Sequence, residues 1–257
     1  MKRNRLLTIA KYSIWEAVQD KFLLFIVTGV LAIFALSFFI SELAITESIQ
    51  TRTAILSSLL RIFLVFTVSL FVISSMLREF NDKGFELLLS QPLPRASYYV
   101  GKLSGYTFIS FIVCGLAGGC IFIYLPDINT LFWSFSLWCE LLIIISLSIL
   151  CLITLNNVTI AFSIVMGFYI LSRAIEAIHL ISSSPILAPD SLANKFMAWL
   201  IDVISYLVPD LYRFTQTSWL VYKAEYTGEL FIIVGQTLIY VLFLSGAAIF
   251  DLYKKEL

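Results

Sequence analysis

Five ionisable residues could do chemical work in this chain, and all are oddly placed. Arg61, Glu140, Arg173, Glu176 and His179 lie within or at the ends of long apolar runs, where a charge is costly unless it pairs or lines a cavity. At 1.5 Å per helical residue, Arg61 stands ~12 Å along its run and Glu140 ~14 Å along another, both measured from the same membrane surface. This shared depth predicts a buried Arg61–Glu140 ion pair. Arg173, Glu176 and His179 recur every three residues on one helix face nearer that surface, where Arg173 competes for Glu140. Two roles fit such a group, a structural pairing that fixes helix register and a place on a substrate path.

The other reactive residue types point away from catalysis. The chain has one histidine and four cysteines. Cys114, Cys120, Cys139 and Cys151 all fall inside apolar runs, where free cysteine behaves as a small hydrophobe, so neither a disulfide framework nor a metal site is expected. The one Gly-Lys pair, Gly101-Lys102, lacks the upstream glycine of a phosphate-binding loop and is followed by Leu103, so no ATP site of that kind is expected. No nucleophile elbow and no His-Glu-x-x-His occur. The chain reads as non-enzymatic, with no cofactor of its own.

The elements that position these residues follow from composition. Of 257 residues, 60% are hydrophobic and 13% charged, with mean hydropathy +0.95, whereas a soluble domain carries about a quarter charged residues. The expected fold is an all-α polytopic membrane protein forming a single transmembrane domain over residues 1–257. Seventeen basic residues balance seventeen acidic ones, which argues against a nucleic-acid partner. A bilayer core of ~30 Å needs roughly 20 apolar helical residues, and six runs qualify: 22–40, 53–77, 103–125, 131–155, 158–181 and 230–250. Asn156 and Asn157 alone separate the fourth from the fifth, which makes them an antiparallel hairpin. The spans leave no room for a soluble ATPase domain, so any energy source has to be another polypeptide.

Basic residues orient the spans. Lys2, Arg3, Arg5, Lys11 and Lys21 precede the first; Arg78, Lys83, Arg95 and Lys102 lie between the second and third; Lys254 and Lys255 follow the last. The positive-inside rule therefore places both termini in the cytoplasm of a multi-pass cell-membrane protein, the inner membrane if the source is Gram-negative. The start is not expected to be a cleaved signal peptide, since no small-residue cleavage site follows the first apolar run. Residues 1–21 form an expected interfacial helix with Leu7, Ala10, Ile14, Ala17 and Val18 on one face. The loop 78–102 carries a short amphipathic helix with Glu79 and Lys83 at i,i+4 and Phe80, Leu87 and Leu88 as an apolar patch, stopped by Pro92 and Pro94. Segment 182–229 lies on the opposite side and includes a helix containing Phe196, Leu200, Val203 and Leu207, too short to cross and ended by Pro209. Gly115 and Gly119, with Gly118 beside them, form a small-xxx-small pair that predicts close helix contact.

Glu79, Lys83-Gly84, Glu86, Leu88-Leu89, Pro92, Arg95 and Gly101-Lys102 resemble the signature loop of ABC transporter type-2 permeases, the six-span membrane subunits of exporters. An N-terminal interfacial helix, six spans, this loop and an extracytoplasmic insertion before the last span recur together in that family, so the resemblance covers essentially the whole chain. Phe85 departs from it, standing where the family usually has a small hydroxyl residue. Pro209-Asp210-Leu211-Tyr212-Arg213-Phe214 resembles a Pro-Asn-Leu-x-x-Phe stretch of some members. The resemblance implies that the loop, through Glu79, Phe80, Lys83, Gly84, Glu86, Leu87, Pro92 and Arg95, is a coupling element that docks on a separate ABC ATP-binding subunit. It implies a homodimer, or a heterodimer with a second permease, in contact with membrane lipid, with ATP and Mg held by the partner subunit. Two other readings use the same spans: a scaffold or assembly protein that moves no substrate, and a subunit that passes ATP-driven motion to an extracytoplasmic partner.

Overall fold

The computed structural model describes residues 2–43, 48–81, 95–182, 199, 201–205, 207–221 and 227–254. In chain order the helices are α1 (Lys2–Gln19), α2 (Phe22–Leu43), α3 (Ser48–Asn81), α4 (Arg95–Tyr124), α5 (Ile128–Leu155), α6 (Val158–Ser182), α7 (Thr217–Val221) and α8 (Thr227–Lys254). No strand occurs among the described residues. Hydrocarbon offers no partner for backbone amides and carbonyls, so long apolar runs close their hydrogen bonds internally as helices. Six of these helices, α2 to α6 and α8, are long and apolar enough to cross a membrane. The chain is thus an all-α, multi-pass membrane protein, as composition led one to expect.

Polar residues set the helix ends. Asp127 caps α5, its carboxylate accepting from the Ile128 amide at 2.7 Å. At the other end Asn156 adopts the left-handed conformation, φ 51°, and its amide donates to the Leu152 carbonyl. Asn157 then accepts from the amides of Thr159 and Ile160 at 3.0 and 3.3 Å. One asparagine ends a helix and the next begins another, which makes the expected hairpin.

Helix α5 is the axis of the bundle and packs on α3, α4, α6, α7 and α8. Its apolar stretch is 78% buried, against 17% for α8. Phe231, Leu242, Phe243 and Phe250 of α8 therefore face outward, where lipid is the natural solvent. Two helices outrun their apolar cores. Helix α3 continues to Asn81, and α4 starts at Arg95 rather than near Leu103, because charged residues at these ends find partners inside the protein.

Helix α1 lies along α4. A Cβ on Gly101 would come within 2.9 Å of the Ile9 side chain, and one on Gly105 within 2.8 Å of Ser13 Cβ and 3.1 Å of the Ala10 carbonyl. These two glycines let the backbones meet. The sequence reading had put the small-residue contact at Gly115 and Gly119, but both face open space; only Gly118 is tight, against Ser134. The expected apolar stripe of α1 is also redrawn. Ser13 and Ala17 are buried while Val18 is exposed beside Tyr12 and Trp15, since small residues permit the close crossing that Val18 would obstruct.

The four cysteines carry free thiols.

Candidate functional site

Charged side chains gather at both ends of the bundle. On the α7 face, Glu140 of α5 is completely buried. Its Oε1 lies 3.5 Å from Arg173 Nη1 of α6, and its Oε2 accepts from Thr215 Oγ1 at 2.9 Å. Thr215 follows the Pro209–Phe214 stretch, which enters the bundle with Leu211 and Phe214 fully buried. Thr215 has φ 49°, a left-handed conformation that is unfavourable for a β-branched residue. Four contacts hold it there. Its amide donates to Ser136 Oγ at 3.1 Å, its carbonyl accepts from Arg61 Nη1 at 3.3 Å, and its hydroxyl sits between Glu140 and Arg173. Arg173 Nη1 also donates to the Leu211 carbonyl at 2.9 Å and the Phe214 carbonyl at 3.3 Å.

The Arg61–Glu140 pair expected from depth is therefore replaced. Arg173 takes Glu140, and Arg61 reaches the backbone of Thr215 instead. Equal depth is necessary for an ion pair but says nothing of azimuth around the helix. The inserted segment occupies the space between α3 and α5 at that level. Glu176 and His179 continue α6, but their side chains lie outside the described residues.

On the α1 face the arrangement is denser. Lys102 of α4 is 1% exposed, with its Nζ 2.6 Å from Glu79 Oε2 of α3 and 3.6 Å from Glu16 Oε2 of α1. Its ammonium also lies 5.7 Å from the Tyr12 ring centre and 5.8 Å from that of Tyr106, within reach of cation–π attraction. Arg78 bridges Glu16 at 3.4 Å and pairs with Asp20. Tyr106 and Ser75 share a hydrogen bond at 3.0 Å. Three helices are thus tied by one charge network. Arg95 adds a fourth, its Nη1 donating to the Leu252 carbonyl at 2.6 Å and the Tyr253 carbonyl at 3.2 Å at the end of α8, where a cation suits the helix dipole.

Of the expected partner-docking residues, Glu79 and Arg95 are engaged within the chain and Phe80 packs partly buried against the core. Lys83, Gly84, Glu86, Leu87 and Pro92 lie outside the described residues. Residue patterns alone had passed over Lys102, Glu16, Asp20 and Thr215. Tyr98 and Tyr106 stand four residues to either side of Lys102, and Asp20, just past the end of α1, follows Glu16 by four residues. That spacing was the available signal. Thr215 gave none, because its role depends on a tertiary insertion.

No protein-family model matches the chain, and no curated protein matches it.

Proposed function

We propose that this chain is the membrane subunit of a type-2 ABC exporter, paired with a second permease copy or homologue and driven by a separate ATPase that binds ATP and Mg. In this reading the α1 face is cytoplasmic, residues 82–94 meet the ATPase, and the chain itself performs no chemistry. ATP-driven closure of the ATPases pushes that loop and rocks the spans between inward-open and outward-open states.

The observation that carries the reading is the brace at the base of the loop. Glu79 precedes residues 82–94 and Lys102 follows them, joined at 2.6 Å with Lys102 buried and Glu79 nearly so, and α1 is bound to Lys102 through Glu16. A loop that receives a push has to deliver it to several helices together, and a short ion pair across its base resists splaying. Such a brace has no evident use under a loop that only connects two spans. Because Glu79 serves this brace, the charge offered to a partner is that of Glu86.

The test is recovery of an ATPase bearing a phosphate-binding loop when the tagged chain is purified from native membranes in mild detergent. Glu86→Arg is expected to lower recovery at least about tenfold, the scale of one charge-assisted contact reversed, with the chain's folded yield unchanged. Undiminished recovery, or no ATPase with the intact chain, contradicts the proposal.

A further inference from the structure

On the α7 face a cavity of about 290 Å³ is lined by Arg61, Arg173, Tyr212, Gln216, Thr217 and Ser218. Every one of these side chains has a hydrogen-bonding group, in a chain that is 60% hydrophobic. Two guanidiniums border the space. Among the described residues the carboxylate in contact with them, Glu140, is fully buried and already engaged by Arg173 and Thr215.

Arg61 is the outlier. Its Nη1 donates to one backbone carbonyl at 3.3 Å, and its Nε is buried with no hydrogen-bond partner. Among the described residues no carboxylate lies within ion-pair distance of it. A guanidinium cannot shed its charge at any accessible pH, and an uncompensated cation within a membrane-spanning helix is expensive. Among the described residues nothing supplies the missing negative charge, which leaves room for one from outside the chain.

We infer that this cavity binds an oxyanion of the phosphate type. The planar forks of Arg61 and Arg173 match two-point contact with such a group better than with a spherical ion. Hydroxyls of Tyr212 and Thr217 and the amide nitrogen of Gln216, whose Oε1 accepts from Ser218 Oγ at 3.1 Å, supply further donors around it. The volume falls at the lower limit of ligand sites, roughly 300 to 1,000 Å³, so it admits a small anion or one headgroup and excludes a drug-sized molecule. A free phosphate and an anionic lipid headgroup share this chemistry. The inference does not depend on an ATPase partner.

The test uses the full chain and two probes. In neutral detergent, sodium phosphate is titrated against sodium chloride at matched ionic strength, and thermal stability is followed; in parallel, the chain is placed in phosphatidylcholine nanodiscs with and without phosphatidylglycerol. A ligand that binds only the folded state raises stability in a saturable way. Stabilisation by phosphate but not by phosphatidylglycerol assigns the site to a free anion. Stabilisation by phosphatidylglycerol that phosphate competes away assigns it to a headgroup. Arg61→Gln should weaken either response at least about tenfold, since it removes one charged partner. Gln216→Glu places a carboxylate in the cavity and should abolish the response while making the ligand-free protein more stable, so it decides the matter even if Arg61→Gln folds poorly. Absence of saturable stabilisation by both probes overturns the inference, as does a response that survives both substitutions. Loss of stability in Glu176→Gln together with silence to phosphate would make Glu176 the counter-ion, and would overturn it equally.

Discussion

At the α1 face Lys102 and Arg78 are surrounded by Glu16, Asp20 and Glu79, and each cation has a carboxylate in ion-pair contact. At the α7 face Arg61 and Arg173 share one carboxylate, and only Arg173 touches it. The first arrangement is self-sufficient and crosses three helices, so it acts as a clamp. Among the described residues the second leaves Arg61 without a carboxylate and has a cavity beside it, the arrangement proposed to receive an oxyanion. Among the described residues charge in this apolar protein is thus handled in two ways, closed into a network at one end and left short of carboxylates at the other.

The largest effect expected is at the clamp. Lys102→Met strands Glu79 in low dielectric and leaves Glu16 to Arg78 alone; breaking a buried pair from one side costs ~3 to 5 kcal/mol in soluble proteins, and polar contacts in membranes run lower. A clear fall in folded yield and thermal stability should follow, with partial recovery in the Lys102→Met, Glu79→Gln double variant. A stable single variant would mean that the network is decorative.

At the other face, Glu140→Gln leaves two arginines without any described carboxylate and should cost about 1 to 3 kcal/mol. The Arg173–Glu140 double-mutant cycle, read by thermal stability in detergent, should show coupling. Arg61→Gln should change stability by under about 1 kcal/mol, because the loss of one net hydrogen bond is offset by removal of a charge without a carboxylate partner, and should add independently to Glu140→Gln. Strong Arg61–Glu140 coupling would restore the pairing that depth alone had led one to expect.

The smallest effects test the clamp's seam. Gly105→Ala drives a methyl against Ser13 and the Ala10 carbonyl and should destabilise by about 1 kcal/mol despite alanine's better helix propensity. Gly119→Ala, in open space, should be neutral or stabilising by up to about 1 kcal/mol. Equal responses at the two positions would remove the close α1–α4 crossing from the account.

Sequence revealed the bundle and concealed its wiring, for reasons specific to each residue. The six spans were legible because a 20-residue apolar run has few alternatives to a membrane helix. Asn156-Asn157 was legible because two residues cannot connect anything but a hairpin. Lys102 was hidden because hydropathy treats lysine as a boundary marker, whereas here two acidic neighbours from two other helices, Glu16 and Glu79, draw its charge inside. The Arg173–Glu140 pairing was half legible: Arg173 was recognised as a competitor, but only the insertion of Thr215 decides between it and Arg61.

The most direct test of the central claim, that the α1 face is a braced base presenting residues 82–94 to an ATPase, is to replace those residues with a Gly/Ser linker of equal length and measure both folding and ATPase binding in nanodiscs. Because Lys102, Glu79 and Glu16 tie α1, α3 and α4 together, the variant should keep its thermal stability and lose the ATPase. A folded variant that retains the ATPase at wild-type stoichiometry would contradict the account.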